Sequence, residues 1–419
     1  MQITYGRYTE CFKQKVQLDY WGECVDLFEQ KKYFDCFKIF TKYISNQSGD
    51  NINLTESDNS LKFDFIQGSK KVNVIISDKK VSAEAVIAEC EKLSIPFMRR
   101  LLELNYTLYY SRFTLKENYI AIKFDSSISD CFPGKLYYAL KELSIKADKQ
   151  DDLLLGEFSV LKPVDSLIIP FDDKIKKLKL NFLRKWINET LDKISGLNEN
   201  NYDGGISYLL LSLLYRVDYL LTPEGSIVDE MEKISMEYFT KDDKKHVEKN
   251  SNMKDKFAKI LTKTDDELLK SFYKTNTTFS ILNPVFLQPV ADVIVNNLKN
   301  IGWYVDNKHE DIALRILEYV AGFCFYNYGM QTPVHRLLQV VYPVILPEFF
   351  KEAGDSEILF DEERNKLNIP AIKSKIELIV SAGVGQFPEL KYNTDNLKFD
   401  SRINFLISFY NELKTLKLN

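Results

Sequence analysis

Three histidines, six cysteines and a few closely spaced carboxylates are the side chains of this 419-residue chain that could carry chemistry. His246 lies in the charged run KDDKKHVEK, while His309 and His335 fall near expected helix starts, where the helix dipole disfavours a cationic ring. None has a second histidine at metal-ligand spacing, and H-E-x-x-H does not occur. Cys11, Cys24, Cys36, Cys90, Cys131 and Cys324 are scattered without a C-x-x-C, several of them among apolar neighbours such as Phe323 and Phe325. A disulfide framework or zinc site would show close paired spacing, so these read as buried free thiols.

Phosphate-binding loops are missing too: neither G-x-x-x-x-G-K-[ST] nor G-x-G-x-x-G is present. Gly383 and Gly385 follow an expected helix and read as its C-terminal cap and turn. Gly204-Gly205 could present amides to an anion at a helix start, although an N-cap from Asp203 or Asn201 is the simpler reading. The carboxylates at Asp151-Asp152, Asp172-Asp173, Asp265-Asp266 and Asp361-Glu362-Glu363 are sequence neighbours, which do not face one another on a helix. No catalytic residue, metal ligand or organic cofactor is assigned. The remaining route to an enzyme is a Cys324–His335 pair assembled in space with nearby carboxylates in the helical half.

Composition narrows the classes further. The length suggests two to three domains. With 45% hydrophobic residues, 16 Gly and 12 Pro, the chain reads as globular, built of long elements. The 56 basic and 60 acidic residues interleave to a net charge of −4, which speaks against nucleic acid as a partner. The start MQITYGRYTECFKQ has no apolar core of a secretory signal. The most apolar stretches, 206–221 and 312–330, are broken by Arg216 and Asp218 and by Arg315 and Glu318. They read as buried core helices rather than membrane spans, and a cytoplasmic location is expected.

The elements that must position any site divide into two kinds. Residues 16–44 read as helix, with 30–32 a possible turn, and 46–60 as a polar loop. Leu61, Phe63 and Phe65 then alternate with charges, Gly68 turns the chain, and Val72, Val74 and Ile76 form the next strand. Residues 81–90 alternate like a strand, although their Ala and Glu also favour helix. A helix at 96–104, strands at 109–115 and 119–125 with Asn118 in the turn, and a helix at 135–149 complete an α+β N-terminal domain, 1–155, with a sheet of about five antiparallel strands. Residues 156–173 read as a linker. The rest, 174–419, reads as an all-α C-terminal domain, with helices at 174–194, 204–221, 312–328, 371–382 and 402–416. A capping box sits at Thr264-Asp265-Asp266-Glu267, a helix start at Asn283-Pro284, and Thr332 caps another helix with Pro333 in its first position. The aromatics of 316–328 fall at helical spacing and read as core.

The stretch Met98-Arg99-Arg100-Leu101-Leu102-Glu103-Leu104-Asn105, followed by strands at 110–115 and 119–124, resembles type III secretion chaperones and the related YbjN-type proteins. Those families similarly end a helix in leucines and Asn before a two-strand hairpin. The likeness covers about the first 150 residues. It implies an α+β domain that dimerises and holds another polypeptide without catalysis; the helical domain is an addition to that pattern. The sheet residues Phe63, Phe65, Val74, Ile76, Ile122 and Phe124 are the expected partner-binding set, on a face left free by helices covering the other. The function expected is a non-enzymatic protein- or peptide-binding adaptor, and the likeness implies a homodimer. Alternatives are an enzyme or small-ligand-binding protein with its site among the helices, or a structural component of a larger assembly.

Overall fold

The computed structural model describes residues 5–6, 11–46, 49–164 and 167–418, without the side chain of Asp152. The Asp151-Asp152 carboxylate pair therefore lies partly outside the described residues, as do parts of the N-terminal start and of the 46–60 and 156–173 stretches. The chain is mixed α and β, with an antiparallel sheet in its N-terminal half and mostly helices after it. Contacts gather it into two compact units, one of Lys13–Pro170 with Tyr273–Ile281, the other of Met1–Phe12, Phe171–Phe272 and Leu282–Asn419.

In the sheet unit, α1 (Lys15–Glu29) and α2 (Tyr33–Ile44) form a hairpin, with Lys31 at φ 58° in the turn. Seven strands follow: β1 (Ile52–Ser57), β2 (Ser60–Gln67), β3 (Lys70–Ser77), β4 (Lys80–Cys90), β5 (Arg112–Lys116), β6 (Tyr119–Ser127) and β7 (Leu161–Pro163). They pair in the order β1-β2-β3-β4-β6-β5, with β7 alongside the end of β4. Between them come α3 (Ile95–Tyr106) and the long α4 (Pro133–Glu157), which extends into the stretch read as a linker.

Alternation explains the strands. Register sets Phe63 opposite Val74, Val74 opposite Ala83, and Ala83 opposite Phe124, so one apolar row crosses four strands. This face packs under α2 and α4. A bulge between Val86 and Ala88 shifts the register and lets the consecutive Ile87 and Ala88 both be buried. Two turn positions differ from expectation. Glu117, not Asn118, takes the positive φ of the β5–β6 turn. The 46–60 loop contains β1, an edge strand whose residues are almost all exposed and so show no alternation.

The helical unit begins with α5 (Asp173–Ser195) and α6 (Asp203–Arg216), the latter running on into a π-helical turn, Val217–Leu221, that ends at Thr222 with φ 42°. Then come α7 (Ser226–Phe239), α8 (His246–Leu261), α9 (Asp265–Leu269), α10 (Leu287–Leu298), α11 (Ile301–Asp306) and α12 (Glu310–Asn327). The last five are α13 (Thr332–Gln339), α14 (Val341–Ile345), α15 (Pro347–Glu352), α16 (Ile369–Gly383) and α17 (Arg402–Leu413).

The Thr264–Glu267 capping box opens α9 as its residue types require. Asn283-Pro284 does not start a helix. It lies in a short strand, Asn283–Val285, paired in parallel with Tyr328–Met330, as the extended bias of a residue before proline allows. Thr332 is the first residue of α13 rather than its cap, which is Gln331. At the centre α6 packs on α12, and both are almost wholly buried. No helix among the described residues is long and apolar enough to cross a membrane.

Candidate functional site

The charges that interrupt the two central apolar helices meet each other. Arg216 is the last residue of α6, and Glu318 lies in the middle of α12. Arg216 donates to Glu318 from Nε to Oε1 at 2.6 Å and from Nη2 to Oε2 at 2.8 Å, a two-pronged pair. Arg315, one turn before Glu318 on α12, donates to the same Oε2 from Nη1. Glu318 is fully buried and Arg216 nearly so, whereas the Arg315 side chain keeps 25% of its exposure. Two cations thus share one carboxylate, and one positive charge is left over. Burial works against the Glu318 anion, yet the two guanidiniums hold its carboxyl below the usual glutamate range.

Arg216 and Arg315 line a cavity of about 1120 Å³ within the helical unit. A third arginine, Arg402, lines it as well, with its guanidinium 4.3 Å from the centre of the Phe360 ring. Arg402 makes no ion pair among the described residues. It is the first residue of α17, whose start is capped by Ser401 Oγ accepting from the Asn404 amide at 3.1 Å. A cation at a helix N-terminus sits against the positive end of the dipole. Burial lowers the Arg402 pKa from its ordinary value, opposed by the nearby Glu362 carboxylate. Burial first, then Arg216 and Arg402, do the same to Arg315.

The walls are aromatic and apolar. Trp186 of α5 lies beneath Arg216, whose guanidinium is 5.2 Å from the ring, and Phe349 packs on Trp186. The π-helical turn directly after Arg216 widens the helix where the pair forms; such turns recur at functional sites. An arginine-rich, partly enclosed cavity with a helix N-terminus on its wall is suited to hold an anion.

The sheet residues expected to bind a partner lie elsewhere. Phe63, Phe65, Val74, Ile76, Ile122 and Phe124 are all in the core of the sheet unit, none more than 3% exposed. The apolar sheet face is the one under the helices, and the opposite face is charged. There Lys123 pairs with Glu84 at 2.6 Å, and Asp125 with Lys80 at 2.6 Å and Arg112 at 2.8 Å. Cys324 and His335 are both buried and line neither this cavity nor the smaller one beside residues 358–368. Burial pushes the Cys324 thiol far above its ordinary range, away from the nucleophilic thiolate, and lowers His335 to about 4. His309 bonds Tyr202 through Nε2 at 2.9 Å. Asp203 opens α6, with its carboxylate accepting from the Gly204 amide at 2.7 Å.

No known family model matches the chain, and no curated protein matches it either. In the sequence Arg216, Arg315 and Glu318 stand only as interruptions of apolar stretches. That was the usable signal, because a charge in a buried helix must find a partner.

Proposed function

We propose that this chain is a non-enzymatic binding protein whose helical unit holds a ligand by an anionic group. One observation carries the reading: Arg216 and Arg315 share the single buried carboxylate of Glu318, which leaves one positive charge over, and both line the same cavity as Arg402. A carboxylate or phosphate placed there would neutralise the surplus and meet the first-turn amides of α17. Calorimetric titration of the full chain with inorganic phosphate and with hexanoate tests this. Saturable binding of either, weakened at least ten-fold by Arg402→Gln, supports it; no saturable binding of either anion overturns it.

A second reading keeps the polypeptide partner, at a different place on the sheet unit. Tyr106 and Tyr109 are 93% and 91% exposed. The turn carrying Tyr109 is fixed by Glu142, whose carboxylate accepts from the amides of Tyr109 at 2.7 Å and of Tyr110 and Ser111 at 2.9 Å. Exposed tyrosines at the end of the helix that carries Arg99 and Arg100, and in the turn after it, have the composition of an interaction hot spot. A pull-down with the Tyr106→Ser/Tyr109→Ser variant, compared with the unaltered chain, tests it. A partner or second copy retained equally by both would remove this surface from consideration. Five of the six cysteines are buried thiols, which supports a reducing compartment such as the cytoplasm.

A further inference from the structure

We propose that Cys24 and Cys36 are a redox-sensitive pair, a dithiol in the resting chain that a small disulfide such as oxidised glutathione closes to a disulfide. The site belongs to the sheet unit and is independent of the anion-binding reading.

The two cysteines face each other across the α1–α2 hairpin. Cys24 lies in the second half of α1 and Cys36 in the first turn of α2, one on each side of the turn at Lys31. Their sulfurs are 3.3 Å apart, and the Cys24 thiol also donates to the Cys36 carbonyl at 3.3 Å. Both side chains are fully buried. An S–S bond is about 2.05 Å long, so bonding asks these sulfurs to approach by only about 1.3 Å.

In the closed hairpin the pair is inert. The bond to Cys36 first, and burial second, raise the Cys24 thiol above its ordinary range, so the attacking thiolate is scarce. Reaction waits on local opening, and α1 is the element that can open. Of its 15 residues only Gln17 and Cys24 are buried, and it packs chiefly on α2. Gln17 Nε2 donates to the Ser45 carbonyl at 2.9 Å, and the Trp21 ring lies 4.7 Å from that of Tyr43. By contrast, α2 sends Phe37, Phe40 and Ile44 into the core shared with the sheet. Lifting α1 therefore exposes Cys24 and uncovers the Cys36 sulfur against it, while α2 stays in place.

The exposed thiolate of either cysteine attacks one sulfur of oxidised glutathione. The glutathione S–S bond breaks, a protein–glutathione disulfide forms, and one glutathione leaves as its thiolate. The second cysteine, as thiolate, then attacks the protein sulfur of that mixed disulfide and expels the other glutathione. The two leaving thiolates take up the protons that the cysteines released. Two protein thiols thus lose two electrons, and one glutathione disulfide becomes two glutathione thiols. The product bridges the hairpin and suppresses the opening that admitted the oxidant.

The test incubates the full chain with oxidised glutathione, unfolds it in excess iodoacetamide, and maps the peptides without reduction by mass spectrometry. A Cys24–Cys36 disulfide is expected, with the buried Cys90, Cys131 and Cys324 recovered as alkylated thiols. Hydrogen exchange of the α1 amides should slow at least ten-fold on oxidation and recover with dithiothreitol, with β4 and β6 unaltered. Cys24→Ser and Cys36→Ser should each carry one glutathione on the cysteine that remains of the pair. Recovery of Cys24 and Cys36 as alkylated thiols, in a chain whose partly exposed Cys11 has taken up glutathione, would overturn the proposal. Pairing of either with a third cysteine, a disulfide that forms only in urea, or α1 exchange unchanged by the disulfide would do the same.

Discussion

Arg216 grips Glu318 with two parallel hydrogen bonds, 2.6 and 2.8 Å long, across 102 residues of sequence and almost out of reach of water. A pair in this setting is costly to desolvate, and its worth lies in neither charge being left alone. Replacing the acid alone is the severe change. Glu318→Gln should destabilise the chain by about 3–5 kcal/mol, because Arg216 and Arg315 are then both without a counter-charge. Chemical denaturation measures it. Arg402→Gln, which breaks no ion pair, should fall within about 0.5–1 kcal/mol of the unaltered chain in the same assay.

The pair can form because α6 and α12 approach closely. Gly322, one turn beyond Glu318, lies against Tyr215, the residue before Arg216. A Cβ at 322 would stand 2.6 Å from the Tyr215 Cβ and 3.1 Å from the Tyr342 hydroxyl. Gly322→Ala should therefore push the helices apart in spite of alanine's better helix propensity, with a loss of about 1–3 kcal/mol. A thermal melt that moved upward instead would show that the contact has room to relax.

These helices show what could be read from sequence and what could not. The near-continuous apolar runs 206–221 and 312–330 point to buried helices, and the Thr264–Glu267 box to a helix start, because both signals are local. Period-two alternation at Leu61, Phe63 and Phe65 was equally local and gave β2. What failed was anything requiring a partner to be known. The alternation marked one apolar face but not whether it met helices or solvent; α2 and α4 cover it. β1 showed no alternation because both of its faces are exposed. Arg216 and Glu318 each looked like a blemish in its own helix, and their meeting depends on a packing that no local pattern encodes. The same holds for Arg402, an ordinary surface residue in sequence that the fold seats on Phe360.

Residues 273–281 are the least local feature of the sheet unit. They come from far along the chain, yet Gln67 at the end of β2 holds them. Its Oε1 accepts from the amides of Thr278 at 3.1 Å and Phe279 at 2.9 Å, and its Nε2 donates to the Phe279 carbonyl at 3.2 Å. Phe279 is itself buried against Phe65, with ring centres 5.5 Å apart. Gln67→Ala leaves these backbone groups buried without partners, a loss of about 2–3 kcal/mol. Hydrogen exchange should show residues 273–281 losing protection, with α12 unaffected. Loss spread evenly over both would mean that Gln67 supports the whole chain and not this segment.

Glu142 makes the loop that presents Tyr109 dependent on pH. Burial of its carboxyl favours the neutral acid. The amides of Tyr109, Tyr110 and Ser111 and the Ser111 hydroxyl outweigh this and lower its pKa from the ordinary 4.5. A carboxyl whose pKa is depressed on folding contributes stability that is fully present above the unfolded value, and that is lost as pH falls through the folded one. The turn at 109–111 should therefore be tight at neutral pH and loosen only below about pH 4.5. Amide exchange rates of Tyr109–Ser111, after correction for intrinsic pH dependence, report this directly. Glu142→Gln should show the loosened rates at every pH, because its single carboxamide oxygen cannot serve three amides and a hydroxyl. Protection in that variant equal to the unaltered chain at pH 7 would mean the turn is held by packing, and the tyrosines would lose the anchor on which the partner-binding reading depends.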